Sequence, residues 1–142
     1  MASSHPDLSR FVEAQEGIYP IALAELRAGR KSSHWMWFIF PQIAGLGMSA
    51  TSRFFAIRSA DEARAYLAHP LLGARLRECT LALLGHRSES AQAILGPIDA
   101  VKLRSSMTLF DHVGEEGDPF GSCLLAFFAG RRDEATLRLL AA

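Results

Sequence analysis

Helix punctuation recurs along the whole chain and constrains the fold more than any other feature of the sequence. Asp7 precedes a stretch in which Leu8, Phe11, Val12 and Gln15 fall on one helical stripe, which predicts a capped first helix. Gly17 interrupts that pattern, and Pro20 suits the first turn of a second helix running to about Arg30. Ser59 with Glu62 forms a capping box, and His69-Pro70 closes the helix that it opens. Pro70 starts a further helix with Leu72, Leu76, Cys79 and Leu83 at helical spacing. Ser90 caps a short helix ending at Gly96, and Pro97 opens the next. Asp118-Pro119 starts another, stopped at Gly130, and Asp133 caps the last. Alternation with period two is nearly absent, and "RFFAI" is the one strand-like run. The pattern predicts an all-α fold, a single compact multihelical domain of about seven or eight helices. It covers residues 7–142, behind a flexible N-terminus at 1–6.

Bulk properties exclude several classes of function. The 142 residues are one domain's worth, and 49% of them are apolar, enough for a core without staples. Fifteen Lys and Arg balance fifteen Asp and Glu. A binder of nucleic acid or of an anionic membrane needs a basic excess, so neither is expected. The run "LRAGRK", with Arg27, Arg30 and Lys31, reads as a helix C-terminus whose cations complement the dipole. Cys79 and Cys123 lack metal-ligand or disulfide spacing and read as small buried hydrophobes. The five His residues, at positions 5, 34, 69, 86 and 112, are scattered, so no metal site and no cofactor are expected. No run approaches the roughly 20 apolar residues of a membrane span, and the N-terminus lacks a signal-peptide core. The expectation is a cytoplasmic protein of undetermined oligomeric state.

Chemistry is concentrated in two stretches. In "SSHWMWFIFPQ", residues 32–42, Trp35, Trp37, Phe38 and Phe40 crowd six positions. Four aromatics so placed face more than one direction, and Pro41 ends any helix they form. The stretch is either plain core or part core and part pocket wall. In the second case Lys31, His34 and Gln42 supply a polar rim. Gln15 points to the core side of its helix, where its amide needs partners from the backbone or from a ligand edge. Tyr19 adds a hydroxyl one turn on. The second stretch is "DAVKLRSSMTLFD", residues 99–111. Asp99, Lys102 and Ser106 lie along one border of the apolar stripe formed by Ala100, Leu103, Met107 and Phe110. That border is either a solvated Asp–Lys pair or a polar rim. Ser105, Ser106 and Thr108 are mediocre helix formers, and hydroxyls beside an ammonium suit a phosphate or a sugar. A lysine-activated serine would need an oxyanion hole, of which the sequence shows no sign.

Three segments carry a resemblance: the run from Asp7 to Ser52, "YLAHPLLGARL" and "KLRSSMTLF". With its specific "HWMWFIFPQ" motif the chain resembles an uncharacterised bacterial family, domain of unknown function 1810, over roughly residues 5 to 140. The resemblance implies a compact multihelical domain and no named activity. A more distant analogy runs to small helical domains that process ADP-ribose, without a shared motif.

The combined expectation is a helical domain with one aromatic-walled polar pocket for a small planar ligand, such as a nucleotide or an NAD- or ADP-ribose-like derivative. Gln15, Tyr19, Lys31, His34, Trp35, Trp37, Gln42, Lys102, Ser105 and Ser106 are its expected binding residues. If the protein is an enzyme, a hydrolase or glycosidase with His34, Asp99 and Lys102 as catalytic groups is expected. The alternative is a protein–protein interaction module anchored on residues 34–42.

Overall fold

The computed structural model describes residues 7–142, and the expectation for residues 1–6 lies outside them. Among the described residues the chain is all-α, with ten helices: α1 Ser9–Gln15, α2 Tyr19–Ala28, α3 Met36–Ile39, α4 Ala50–Phe54, α5 Ala60–Ala68, α6 Leu72–Leu84, α7 Ala91–Leu95, α8 Pro97–Val113, α9 Phe120–Phe128 and α10 Glu134–Ala141. The count exceeds seven or eight because α3 and α4 are one-turn helices, in the aromatic stretch and in the loop after it. The strand-like run is also revised. Arg53 and Phe54 end α4, and Ile57 contributes one isolated parallel bridge to Ile43. Ser49 decides this locally, because its hydroxyl accepts from Ser52 N at 3.1 Å and starts a helical turn.

Most of the punctuation works as the residue types dictate. Ser59, Ser90 and Asp133 accept from Glu62 N, Ala93 N and Thr136 N, each about one turn ahead. Glu62 does not complete the capping box by reaching back to Ser59. Its carboxylate accepts from Arg58 N and from Arg10 instead. Asp7 supports the first turn through Ser9 N, although Leu8 occupies the cap position. Asp118 leaves the start of α9 uncapped, since its carboxylate receives Arg77 and Glu115 N. Pro70 sits in the turn before α6, which begins two residues later.

The core is built around α8, whose residues Leu103 and Ser105–Phe110 are all buried. This helix packs against α5, α7, α9 and α10, so it must be covered nearly all round. A relay of rings crosses the molecule from Phe120 through Phe110, Tyr66 and Phe11 to Phe55 and Phe38, with centroids 5.1–5.9 Å apart. It links α9, α8, α5, α1 and α3. The N-terminal end of α8 escapes this burial, with Ile98 and Val101 exposed, and lies beside the 42–52 loop.

Candidate ligand-binding site

Gly29 ends α2 in the left-handed conformation, φ 75°, which turns the chain back toward α7. Lys31 N then donates to Ile94 O at 2.8 Å. The next residues are gathered by Glu25, in the last turn of α2. Its carboxylate accepts from Ser32 N, Ser33 N, Ser33 Oγ and Trp35 Nε1. Burial pushes the Glu25 carboxyl up, but the hydrogen bonds from Ser33, Ser32 and Trp35 outweigh it and hold the pKa down to about 2. A carboxylate at a helix C-terminus opposes the dipole, so the four donors explain a residue placed where helix electrostatics disfavours it.

This clamp sets Lys31 against α8. Its ammonium lies 2.9 Å from Asp99 Oδ2, donates to Ser33 O at 2.6 Å and stands 5.0 Å from the Trp35 ring centre. Lys102, one turn along α8 from Asp99, lies 3.6 Å from the other carboxylate oxygen. Its ammonium is 4.6 Å from the Trp37 ring centre, within cation–π range. The result is a continuous chain, Ser33 O–Lys31–Asp99–Lys102–Trp37. It joins the two stretches that the sequence singled out.

Beyond Lys102 opens a cavity of about 420 Å³ between the 42–52 loop and the N-terminal turn of α8. Lys102, Gln42 and Ser52 give it polar groups, and Leu46, Ile98 and Val101 give it apolar surface. The loop wall depends on Gly47, where a Cβ would run into the Ser52 side chain. The volume is in the range of small-molecule sites, and the lining is apolar with a few polar groups, as such sites require.

The structure distributes the expected residues unequally. Gln42 and Lys102 line the cavity, and Trp37, half-buried, packs on Lys102. Asp99 joins Lys102 as expected, but each of its oxygens faces an ammonium. Lys31 is committed inward, with its side chain 9% exposed. Trp35 is fully buried and tied to Glu25, so it is core and presents no face to a ligand. His34 is exposed and makes no side-chain hydrogen bond among the described residues.

Gln15 and Tyr19 lie in a separate polar network. Gln15 Nε2 donates to Phe38 O at 2.7 Å and to Tyr66 Oη at 3.2 Å, while its Oε1 accepts from Arg75. Tyr19 Oη donates to Glu78, and burial together with this bond raises the phenol pKa. The amide and the phenol are thus satisfied by the protein. The α8 hydroxyls turn elsewhere too. Ser105 Oγ lies 3.2 Å from Asp133 Oδ2, and Thr108 Oγ1 accepts from Asp133 N at 2.8 Å. They hold the start of α10, a structural demand that the sequence of α8 alone does not reveal. Ser106 is fully buried, and its hydroxyl has no partner among the described residues.

Sequence reasoning missed Glu25, Leu46, Ser52, Ile98 and Val101. The signal for the last two was present, since both are apolar yet fall outside the stripe containing Ala100 and Leu103. Among the described residues no group of His, Cys, Asp and Glu is arranged to hold a metal. No described helix is long and apolar enough to cross a membrane.

The chain is similar to a conserved hypothetical protein from Mycobacterium tuberculosis known from a crystal structure. Identity is 47%, the match covers 96% of this chain and 97% of that one, and the TM-score is 0.93. A comparison with curated proteins finds no match. The model of the family described as protein of unknown function (DUF1810) matches residues 5–140, and the chain belongs to that family.

Proposed function

We propose that the protein is a cytoplasmic small-molecule-binding domain whose ligand combines a flat apolar body with an anionic group, seated between the 42–52 loop and α8. The observation that supports this reading is the meeting of Lys31, Asp99, Lys102 and Trp37 beside a cavity with an otherwise apolar lining. Asp99 and Ser33 O occupy Lys31, whereas Lys102 is held only by a longer ion pair and an aromatic face. Lys102 is therefore the cation available to a ligand. Gln42 and Ser52 offer it edges to read, and Ile98 and Val101 gain burial beneath its ring.

Flat-ring acids are the first ligands to screen, with nucleotide-like and ADP-ribose-like derivatives as the polyanionic comparison. A hydrolytic activity draws no support from the site, because Asp99 is engaged in charge balance and His34 is not among the described residues that line the cavity. The aromatic segment offers a protein partner little surface, since Trp35, Met36, Ile39 and Phe40 are buried, and this weighs against the interaction-module alternative.

Titration of flat anionic ligands against tryptophan emission tests the proposal. A saturable change is expected, with affinity reduced about tenfold or more in Lys102→Met, the loss of one ion pair in a partly desolvated site. An unsaturable response to every such ligand at millimolar concentration overturns the reading.

A further inference from the structure

The charges around the cavity limit its ligand further. Lys31 and Lys102 share the single carboxylate of Asp99, which leaves one unit of positive charge. That surplus sits at Lys102, because Lys31 is closer to Asp99 (2.9 Å against 3.6 Å) and is also bound by Ser33 O. Among the described residues Lys102 is the one cationic side chain lining the cavity, and no arginine joins it there. The start of α8 adds a partial positive charge, countered by Asp99 in the same turn. A second negative charge on the ligand would find no second cation and would face the Asp99 carboxylate across Lys102.

The remaining lining is poor in hydrogen-bonding groups. Ser52 shares its hydroxyl with Ser49 at 2.8 Å and keeps acceptor capacity, while the Gln42 amide makes no side-chain hydrogen bond among the described residues. The side chains of Leu46, Pro97, Ile98 and Val101 provide nothing for sugar hydroxyls or a polyphosphate to bond. Ile98 and Val101 are 73% and 64% exposed, so an apolar body laid over them removes substantial surface from water.

We infer that the site takes a monoanion on an apolar body, in chemical terms a hydrophobic carboxylic acid, and that Asp99 excludes dianions such as phosphate monoesters. This inference rests on the ligand-binding reading of the same cavity and narrows its ligand class. Carboxylate oxygens would meet Lys102 Nζ and the Gln42 amide, and the ring or branched chain would cover Ile98 and Val101. Asp99 is a specificity-determining residue in this scheme.

The experiment is isothermal titration of the full chain with three ligands sharing one ring system: naphthalene-2-carboxylate, 2-naphthyl phosphate and naphthalene-2-carboxamide, at pH 7.5. Their charges are close to −1, −2 and 0. The carboxylate is expected to bind about tenfold tighter than either of the others. In Asp99→Asn the phosphate should gain about tenfold and lose its disadvantage. A phosphate that equals or exceeds the carboxylate in the unaltered protein overturns the monoanion assignment while leaving the ligand site standing. A phosphate-to-carboxylate ratio unchanged in a folded Asp99→Asn variant overturns the role of Asp99. Binding of none of the three overturns the site and the inference together. Should Asp99→Asn fail to fold, the three-ligand series on the unaltered protein still decides the charge preference.

Discussion

Ser106 sits in the middle of α8 with a fully buried hydroxyl that meets no partner among the described residues. An unmade hydrogen bond of this kind costs roughly 1–3 kcal/mol, and alanine is a better helix former by a few tenths. Ser106→Ala is therefore expected to stabilise the protein by about 1 kcal/mol, read as a rise in the denaturation midpoint. A fall of similar size would show that the hydroxyl is satisfied in solution. Neighbouring residues show how far single positions are legible in a sequence. The core-facing stripe placed Gln15 inside and required partners for its amide, and Phe38 O, Tyr66 Oη and Arg75 supply them. The identity of those partners was not legible, because they lie 23 to 60 residues away along the chain. For the same reason Ser105 and Thr108 resembled ligand-binding hydroxyls while their partner, Asp133, stood on a later helix.

Elements with strong end signals were the readable ones. A capping serine or aspartate, or a first-turn proline, acts within one turn, so α2, α5, α7, α8 and α10 follow from local chemistry. Helices α3 and α4, of four and five residues, are too short for an apolar repeat to register, and they accounted for the undercount. The cap of α10 is doubly anchored, with Asp133 accepting from Thr136 N and Thr136 Oγ1 while its own N–H binds Thr108. Asp133→Ala removes the side-chain cap and leaves Ser105 Oγ with Val101 O alone. The expected cost is about 1–2 kcal/mol, with protection from hydrogen exchange lost first in α10. Unchanged exchange in α10 would show that packing alone fixes this helix. The candidate site was half legible at this scale. Its two stretches announced themselves by composition, whereas their meeting depends on the Glu25 clamp and on the turn at Gly29.

Across the whole molecule, carboxylates held below their ordinary range make stability depend on acid. Glu25 is held down to about 2 from an ordinary value of 4.5, as its hydrogen bonds outweigh burial. Asp118 is lowered first by its bond from Arg77. For both groups the folded pKa lies below the unfolded one. Their contribution is therefore complete above the ordinary carboxylate range and is lost as the pH falls toward the folded values. Urea midpoints are expected to hold from pH 7 to about 5 and to drop steadily below about 4.5. Glu25→Gln should flatten that decline, and an equally steep fall in the variant would assign acid sensitivity to other groups. Net charge passes from formally zero to strongly positive over the same window, which adds self-repulsion to the loss.

The two buried cysteines carry a consequence for the life of the molecule. Cys79 in α6 and Cys123 in α9 are shut from solvent, and burial pushes both thiols up to about 12. Only the thiolate attacks oxidants and electrophiles. While its helices stay packed, both thiols are thus mute toward them, and the exposed Met48 thioether is left as the sulfur open to oxidants. An alkylated or oxidised cysteine marks a chain that has opened, so each thiol keeps a permanent record of whether its helix has ever come loose.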